Sequence, residues 1–159
     1  MSNLKPITLG ILAGMRSMLA PAFTSLYLGR KMDSKPSDKF VELIASPEAN
    51  LLIPALALGE LAADKLPFIT DRIWAPALFG RMVSGAISGQ AIEPAEDRDR
   101  LSGALAGALV AAGSAFTFFY LRKELARRTH IPTPVLGLLE DLLAIGIGIT
   151  LLNSNGGQD

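Results

Sequence analysis

Apolar residues are gathered into five long runs that carry few charges and are separated by short polar segments. Extended to its flanking caps, each run is near the roughly 17 to 25 residues with which a helix crosses the hydrocarbon core of a bilayer. The pattern therefore predicts an all-α protein, a polytopic membrane bundle of about five embedded helices in one domain over residues 1–159. The runs are residues 6–29, 49–59, 75–92, 101–121 and 134–152.

Prolines and capping residues indicate where these helices begin, bend and end. Pro21 is expected to kink the first helix, because a proline inside a helix removes one backbone donor. Ser46 followed by Pro47 is a cap and first-position pair, so the second embedded helix is expected to begin there and continue to residue 66. The polar segment before it, residues 32–48, has apolar residues at helical spacing, which predicts a short amphipathic helix lying at the membrane interface.

Two stretches of the chain resemble each other in sequence. Residues 10–28 and 103–121 are identical at nine of nineteen positions, and the shared residues include Phe, Thr and Tyr as well as Gly and Ala. A second register makes Glu60 and Glu140 equivalent positions. The alternative interpretation is that apolar sequence rich in small residues aligns with itself by chance.

The similarity predicts an internal repeat, with one half over residues 6–66, a linking helix over 75–92 and a second half over 101–152. If the linking helix crosses the bilayer, the halves have opposite orientation, as in many transporters whose binding sites lie near the midplane between repeats. If the linking helix is re-entrant, the halves are parallel. We favour the inverted arrangement, while the Lys and Arg content of the flanking segments does not orient the chain in the membrane.

Composition excludes several classes of function. Half of the residues are hydrophobic and 19% are charged, and the net charge is zero, so no basic surface for nucleic acid is expected. The chain has no cysteine and a single histidine, which excludes disulfides, thiolate metal sites and histidine-based triads within one chain. We expect no metal, no cofactor and no enzymatic activity.

Charged residues inside the apolar runs are the candidate functional residues. A charge at the bilayer centre costs about 2.5 to 3.5 kcal/mol on insertion scales, so such groups face a partner, a cavity or a transport pathway. Glu60 and Asp64 are four residues apart and share one helix face, which the repeat would bring towards Glu140. The candidate ion or substrate ligands are Arg16, Glu60, Asp64, Arg81, Glu140 and Asp141.

Two interpretations of this cluster stay open at the sequence level. In one, the arginines neutralise the acids in ion pairs that fix how the helices pack, and the protein is a membrane scaffold or accessory subunit. In the other, the carboxylates exchange a proton for a cation, and the protein is a small transporter or channel for a cation, a proton or a small solute. Of the two adjacent acids near the end of the chain, Glu140 is the favoured ligand, since neighbours on a helix point about 100° apart.

Small residues recur every four positions in three of the apolar runs. Such stripes let helix backbones approach closely in lipid. The stripe residues are Gly10, Gly14, Gly85, Gly89, Gly103 and Gly107. Because five short helices enclose little volume, we expect a homodimer in the bilayer, packed through the glycines of the third or fourth run.

The most distinctive motifs together resemble one known family. "LAGMRSMLAPA", "GELAADKLP", "DRIWAPALFGRMVSGAISG" and "LLEDLLAIGIG" are similar to the bacterial membrane family called domain of unknown function 4126 (DUF4126), and the resemblance covers nearly the whole chain. It implies a small integral membrane protein, located in the bacterial inner membrane. It implies no reaction and no substrate.

Overall fold

The computed structural model describes residues 4–31, 38–63, 74–93, 97–129 and 131–153, and every regular element in these ranges is an α-helix. This confirms the predicted all-α class. The helices are α1 Leu4–Met15, α2 Leu19–Lys31, α3 Lys39–Ala45, α4 Pro47–Ala63, α5 Ala75–Ile92, α6 Asp97–Thr129 and α7 Thr133–Asn153.

The first apolar run is not one kinked helix but two helices separated by a break at Arg16–Met18. The sequence analysis placed the irregularity at Pro21, and this was wrong. Pro21 lies in the first turn of α2, where backbone N–H groups have no intrahelical partner and a missing donor is tolerated. Here the proline marks the start of a new helix rather than a bend within an old one.

At the break the chain reverses direction, so that α1 and α2 form a helical hairpin. The Lys5 ammonium near the start of α1 donates a hydrogen bond of 2.7 Å to the Tyr27 hydroxyl near the end of α2. A continuous helix would hold these two residues about 33 Å apart. We call residues 16–18 the hairpin tip, and the opposite end of the bundle, where Lys5 and Tyr27 meet, the base.

Contacts with the two long helices fix the direction of each arm of the hairpin. Gly10 lies against the Gly107 carbonyl oxygen, and Gly14, one turn later, lies against the Ala111 carbonyl oxygen. Because both residue numbers increase together, α1 runs parallel to α6. The Arg16 and Asp141 side chains bond to each other, and the Phe23 ring lies against Gly148, so α2 runs parallel to α7. The arms therefore pack on two helices that are themselves antiparallel.

Glycines at the crossings bring α1, α5 and α6 into backbone contact. A Cβ atom on Gly10 would lie 2.8 Å from the Gly107 carbonyl oxygen, and one on Gly89 would overlap the Gly103 backbone. The other glycines of the stripes, Gly14, Gly85 and Gly107, are equally crowded by neighbouring helices. Within the described residues, these glycines of α5 and α6 pack against each other inside one chain, and the homodimer stays a prediction.

Two helices of the described structure, or three if a bent pair is one span, are long and apolar enough to cross a membrane. They are α6, α7 and the bent pair of α3 and α4, which meet at 63°. The expectation of five spans is wrong. The break divides the first run into helices of 12 and 13 residues, each only about 18 to 20 Å long, and α5 contains Arg81, two serines and three glycines.

The bundle carries apolar side chains on its outside and charged side chains in its interior. Large exposed leucines lie along α4, α6 and α7, whereas Arg16, Arg81 and Asp141 are almost fully buried. A soluble protein avoids such wide exposed apolar faces, and lipid accommodates them. Together with the long apolar helices, this distribution indicates a membrane protein.

Helix α3 is attached to the base by polar contacts. The Asp38 carboxylate caps α3 by accepting a 2.7 Å hydrogen bond from the Phe40 backbone N–H, and it also pairs with Arg100 at the start of α6. The Ser25 hydroxyl of α2 lies within hydrogen-bonding distance of both the Ile44 carbonyl oxygen and the Asn50 side chain. The predicted amphipathic helix is thus present and is tied to three neighbouring helices.

The internal repeat is not confirmed by the structure. Residues 10–28 contain a helix break and a reversal, whereas the stretch expected to be equivalent, 103–121, is an uninterrupted part of α6. Only the α1 part of the first stretch packs along the second, where Gly10 and Gly14 lie against residues 107–114, and α2 packs on α7 instead.

The close approach of α5 and α6 makes Gly107 more sensitive to substitution than Gly113 on the same helix. A Cβ on Gly107 would overlap the Gly85 backbone, whereas a Cβ on Gly113 meets open space. We expect Gly107→Ala to lower the free energy of unfolding by about 1 to 3 kcal/mol through overpacking. Gly113→Ala should be neutral or slightly stabilising because alanine favours the helix by about 1 kcal/mol. Unfolding of both variants in detergent, followed by circular dichroism, tests this; equal effects would contradict the packing.

The attachment of α3 should depend on pH through Asp38. The hydrogen bond from the Phe40 backbone and the contact with Arg100 lower the pKa of the Asp38 carboxyl. Its stabilisation is therefore present above the ordinary aspartate pKa and is lost as the pH falls through the lower folded-state value. Asp38→Asn should reduce thermal stability at pH 7, and wild type and variant should converge under strongly acidic conditions. Lys39→Gln, at an exposed position of the same helix, is the control and should leave the pH dependence of stability as in wild type.

Candidate functional site

Glu60 of α4 binds the hairpin tip with both carboxylate oxygens. Its Oε1 accepts hydrogen bonds of 3.0 Å from the Ser17 backbone N–H and 2.7 Å from the Ser17 hydroxyl. Its Oε2 accepts a hydrogen bond of 2.7 Å from the Met18 backbone N–H. A carboxylate at this position satisfies donors that the start of α2 leaves without intrahelical partners, and it lies at the positive end of the helix dipole.

The remaining backbone groups of the break are also engaged. The Ser84 hydroxyl of α5 donates a hydrogen bond to the Ser17 carbonyl oxygen, and the Leu19 N–H donates to the Arg16 carbonyl oxygen at 3.2 Å. The Ser114 hydroxyl of α6 reaches the Ile11 carbonyl oxygen at 2.9 Å. Irregular backbone away from water requires such satisfaction, since each unpaired polar group would cost several kcal/mol in lipid.

Arg16 and Asp141 form a buried ion pair beside the tip. The Arg16 Nε donates a hydrogen bond of 2.7 Å to Asp141 Oδ1, and the Nη2 atom lies 2.5 Å from the same oxygen. Arg16 is 1% exposed and Asp141 is 4% exposed. A buried pair of this kind is expensive to break, because removing one partner leaves the other charge uncompensated.

Arg81 and Glu140 are buried on the same two helices that supply Ser84 and Asp141. Arg81 lies on the buried face of α5, three residues before Ser84, and Glu140 lies next to Asp141 in α7. Glu140 also lines a cavity between α6 and α7. Glu60 and Asp141 therefore contact the break directly, whereas Arg81 and Glu140 are buried within one helical turn of residues that contact it.

The hairpin tip is level with the middle of both long helices. Asp141, which bonds to the tip, lies near the centre of α7, and Ser114, beside the end of α1, lies near the centre of α6. The hairpin arms extend from the tip to the base along roughly half of each long helix. The charged groups are therefore as far from both ends of the candidate spans as the fold allows.

The structure brings Arg16, Glu60 and Asp141 together at the tip, through direct bonds or through adjacent backbone atoms. The sequence analysis favoured Glu140 over Asp141, and the structure buries both while giving Asp141 the bond to Arg16. Asp64 lies outside the described residues. Within the described part of the chain, no group of three or more histidine, cysteine or acidic residues is arranged to hold a metal ion.

The sequence analysis missed the backbone donors of Ser17 and Met18. It also did not name two serines as site residues: the Ser17 hydroxyl donates to the Glu60 carboxylate, and the Ser84 hydroxyl donates to the Ser17 carbonyl oxygen. The available signal was Pro21, two residues after Leu19, because a proline in the first turn is typical of a helix start.

Comparison with protein families identifies the chain. The model of the family described as domain of unknown function (DUF4126) matches residues 4–154. The chain belongs to the DUF4126 family. No curated protein and no solved structure matches it. The matched residues of this DUF4126 protein include all seven described helices and the whole hairpin tip.

In double-mutant cycles, the buried ion pair Arg16–Asp141 of this DUF4126 protein should contribute more to the free energy of unfolding than an exposed ion pair does. Arg16→Met alone should cost about 3 to 5 kcal/mol, because Asp141 is left buried without its cation. The double variant Arg16→Met with Asp141→Leu should cost clearly less than the sum of the single variants. The exposed pair Arg128–Glu124 is the matched control, and its loss should cost at most about 1 kcal/mol. Additive behaviour at the buried pair, measured by unfolding in detergent, would contradict this assignment.

Proposed function

We propose that this DUF4126 protein is a small integral transporter or channel of the bacterial inner membrane, moving a proton or a cation past Glu60 at the hairpin tip. The observation that carries the proposal is the reversal of the chain level with the middle of α6 and α7, where backbone N–H groups donate to the Glu60 carboxylate. In many transporters, broken helices form the substrate site near the bilayer midplane. Non-helical backbone inside a membrane protein is found where it is buried in protein or lines a water-filled cavity.

Glu60 differs from the other acids of the cluster in the donors that hold it. All three donors of its described hydrogen bonds are uncharged groups, whereas Asp141 accepts from the guanidinium of Arg16. Glu60 is also only half-buried, whereas Asp141 is buried. A protonated carboxyl is a weaker acceptor than a carboxylate, and its new O–H group needs an acceptor of its own. Protonation of Glu60 therefore weakens its hold on the tip, which is what an exchanging site needs.

The alternative function is a membrane scaffold, in which the same groups only hold helices together. It is supported by the completeness of the contacts, since Glu60 accepts three hydrogen bonds and Arg16 pairs with Asp141 inside the fold. Under this alternative, Glu60→Gln lowers the stability of the protein and does not change any proton or cation flux.

Proton flux in proteoliposomes tests the choice between these functions. Purified protein is reconstituted into liposomes that contain a pH-sensitive dye, and a pH gradient is applied. Proton flux is measured first with a potassium diffusion potential. It is then measured with sodium, potassium or magnesium ions in the outer solution. Wild type should dissipate the gradient faster than empty liposomes, and Glu60→Gln should slow this by about tenfold or more, as for other intramembrane acids in proton pathways.

The control is Glu48→Gln, which removes an acid from the exposed first turn of the same helix. This variant should transport like wild type. If wild type moves no proton or cation under any gradient while Glu60→Gln lowers the unfolding temperature, the transport proposal is wrong and the scaffold function stands.

A further inference from the structure

A further polar group lies on α5, between the hairpin tip and the base. Ser88 is fully buried, with 0% of its surface exposed, and its hydroxyl has no hydrogen-bond partner among the protein groups that the structure describes. A buried hydroxyl without a partner is costly, so such groups in folded proteins are normally bonded to an internal water or to a ligand. The Ser88 hydroxyl therefore has bonding capacity that the described fold does not use.

Ser88 lies on the face of α5 that extends from the tip to the base. Ser84, one turn earlier, donates its hydroxyl to the Ser17 carbonyl oxygen at the tip. Ala91, three residues later, packs in a buried cluster with Tyr27 at the base. Residues three and four apart share one helix face, so this face connects the two ends of the hairpin.

The spacing along this face suits one bridging water. Ser84 and Ser88 are four residues apart, which is about 6 Å along the helix axis. Hydrogen-bonded oxygens lie about 2.7 to 2.8 Å apart, so one water molecule bridges a gap of that length. The Ser84 hydroxyl donates to Ser17, and its oxygen can still accept from a water that the Ser88 hydroxyl holds.

Both ends of this face reach groups that exchange protons. At the tip, Ser17 accepts from Ser84 with its carbonyl oxygen and donates its hydroxyl to Glu60. At the base, the buried Tyr27 hydroxyl accepts from the Lys5 ammonium, and Lys5 is only half-buried. The hydroxyl groups therefore lead from the interior carboxylate towards the end of the bundle where polar side chains gather.

An enclosed row of hydroxyls suits a proton and not a metal ion. A hydroxyl both donates and accepts, so its oxygen takes up one proton on one side, releases another on the other side and is unchanged afterwards. Hard divalent cations need about six or more oxygen ligands, whereas Ser88 offers one oxygen and is 0% exposed.

We propose that the proton is the species this protein moves, and that Ser88 holds a water that relays it between Glu60 and the Lys5–Tyr27 contact at the base. The inference rests on the proposed transport past Glu60, and it names the substrate and one half of the route. In one transfer the Glu60 carboxyl loses a proton, each oxygen of the row passes one on, and the base releases one. Ser88 acts as a positioning residue for the water.

Proton flux and stability measured on the same variant test the relay. Ser88→Ala should lower proton flux in proteoliposomes about tenfold, which corresponds to about 1.4 kcal/mol in the barrier and to the loss of about one hydrogen bond. Its unfolding temperature in detergent should stay equal or rise, because the change removes a buried polar group and leaves almost the same volume. A purely structural serine would leave the flux unchanged.

Thr24→Val is the matched control. Thr24 is also 0% exposed, but its hydroxyl donates to the Ala20 carbonyl oxygen within α2, so the change removes a buried hydroxyl that already has a partner. Its proton flux should equal that of wild type. A crystal structure of the wild type should also show an ordered water within about 3.2 Å of the Ser88 Oγ atom.

The outcomes separate this inference from the proposed function. If wild type moves protons and Ser88→Ala moves them equally fast, or if Ser88→Ala and Thr24→Val lower the flux equally, the relay is wrong and transport past Glu60 stands. If wild type moves sodium, potassium or magnesium ions in place of protons, the proton as substrate is wrong. If wild type moves no proton and no cation, the proposed function itself is wrong and the relay with it. If Ser88→Ala does not fold, a crystal structure in which Ser88 Oγ bonds to the Ser84 carbonyl oxygen and to no water overturns the relay.

Discussion

The hydrogen bonds between Glu60 and the hairpin tip are the constraint on which the rest of this structure depends. A chain that reverses inside an apolar bundle exposes backbone N–H groups that neither helix can satisfy. The carboxylate of α4 accepts from two of them and from the Ser17 hydroxyl, while Ser84 of α5 covers the adjacent carbonyl. The position of α4 and α5 against the hairpin thus follows from the need to complete the broken backbone.

Close packing around the hairpin makes this arrangement rigid. Glycines at the crossings of α1, α5 and α6 let three backbones touch, so that small serine side chains of one helix reach carbonyl oxygens of the next. Interfaces of small residues with polar bonds across them are the usual means of helix association in lipid, where apolar burial gives little driving force. Leu9 and Leu12 of α1 are fully buried in the core, whereas most leucines of α4, α6 and α7 lie on the outside.

Helix α7 connects the hairpin tip with a cavity between α6 and α7. Asp141 pairs with Arg16 at the tip, and its neighbour Glu140 lines that cavity. The two acids point in directions about 100° apart, as consecutive helical residues must. Two adjacent acids therefore contribute to an ion pair in the interior and to the lining of a cavity between α6 and α7.

The sequence by itself determined the helical class, the limits of α5 and α7 and the start of α4. The signals were the apolar runs, the capping pairs and the Gly stripes. They were sufficient because the limits of a helix depend on residues that are neighbours along that helix. Arg16, Glu60 and Asp141 were recognisable as candidates because a charge inside an apolar run requires a partner. Only the tertiary structure shows which of these groups bond to each other. The hairpin reversal at Arg16–Met18 depends on donors and acceptors from α4, α5 and α7. Local sequence preferences involve only near neighbours along the chain, so they do not include a carboxylate about forty residues away. For the same reason an apolar run long enough to span a bilayer was divided into two short helices that do not.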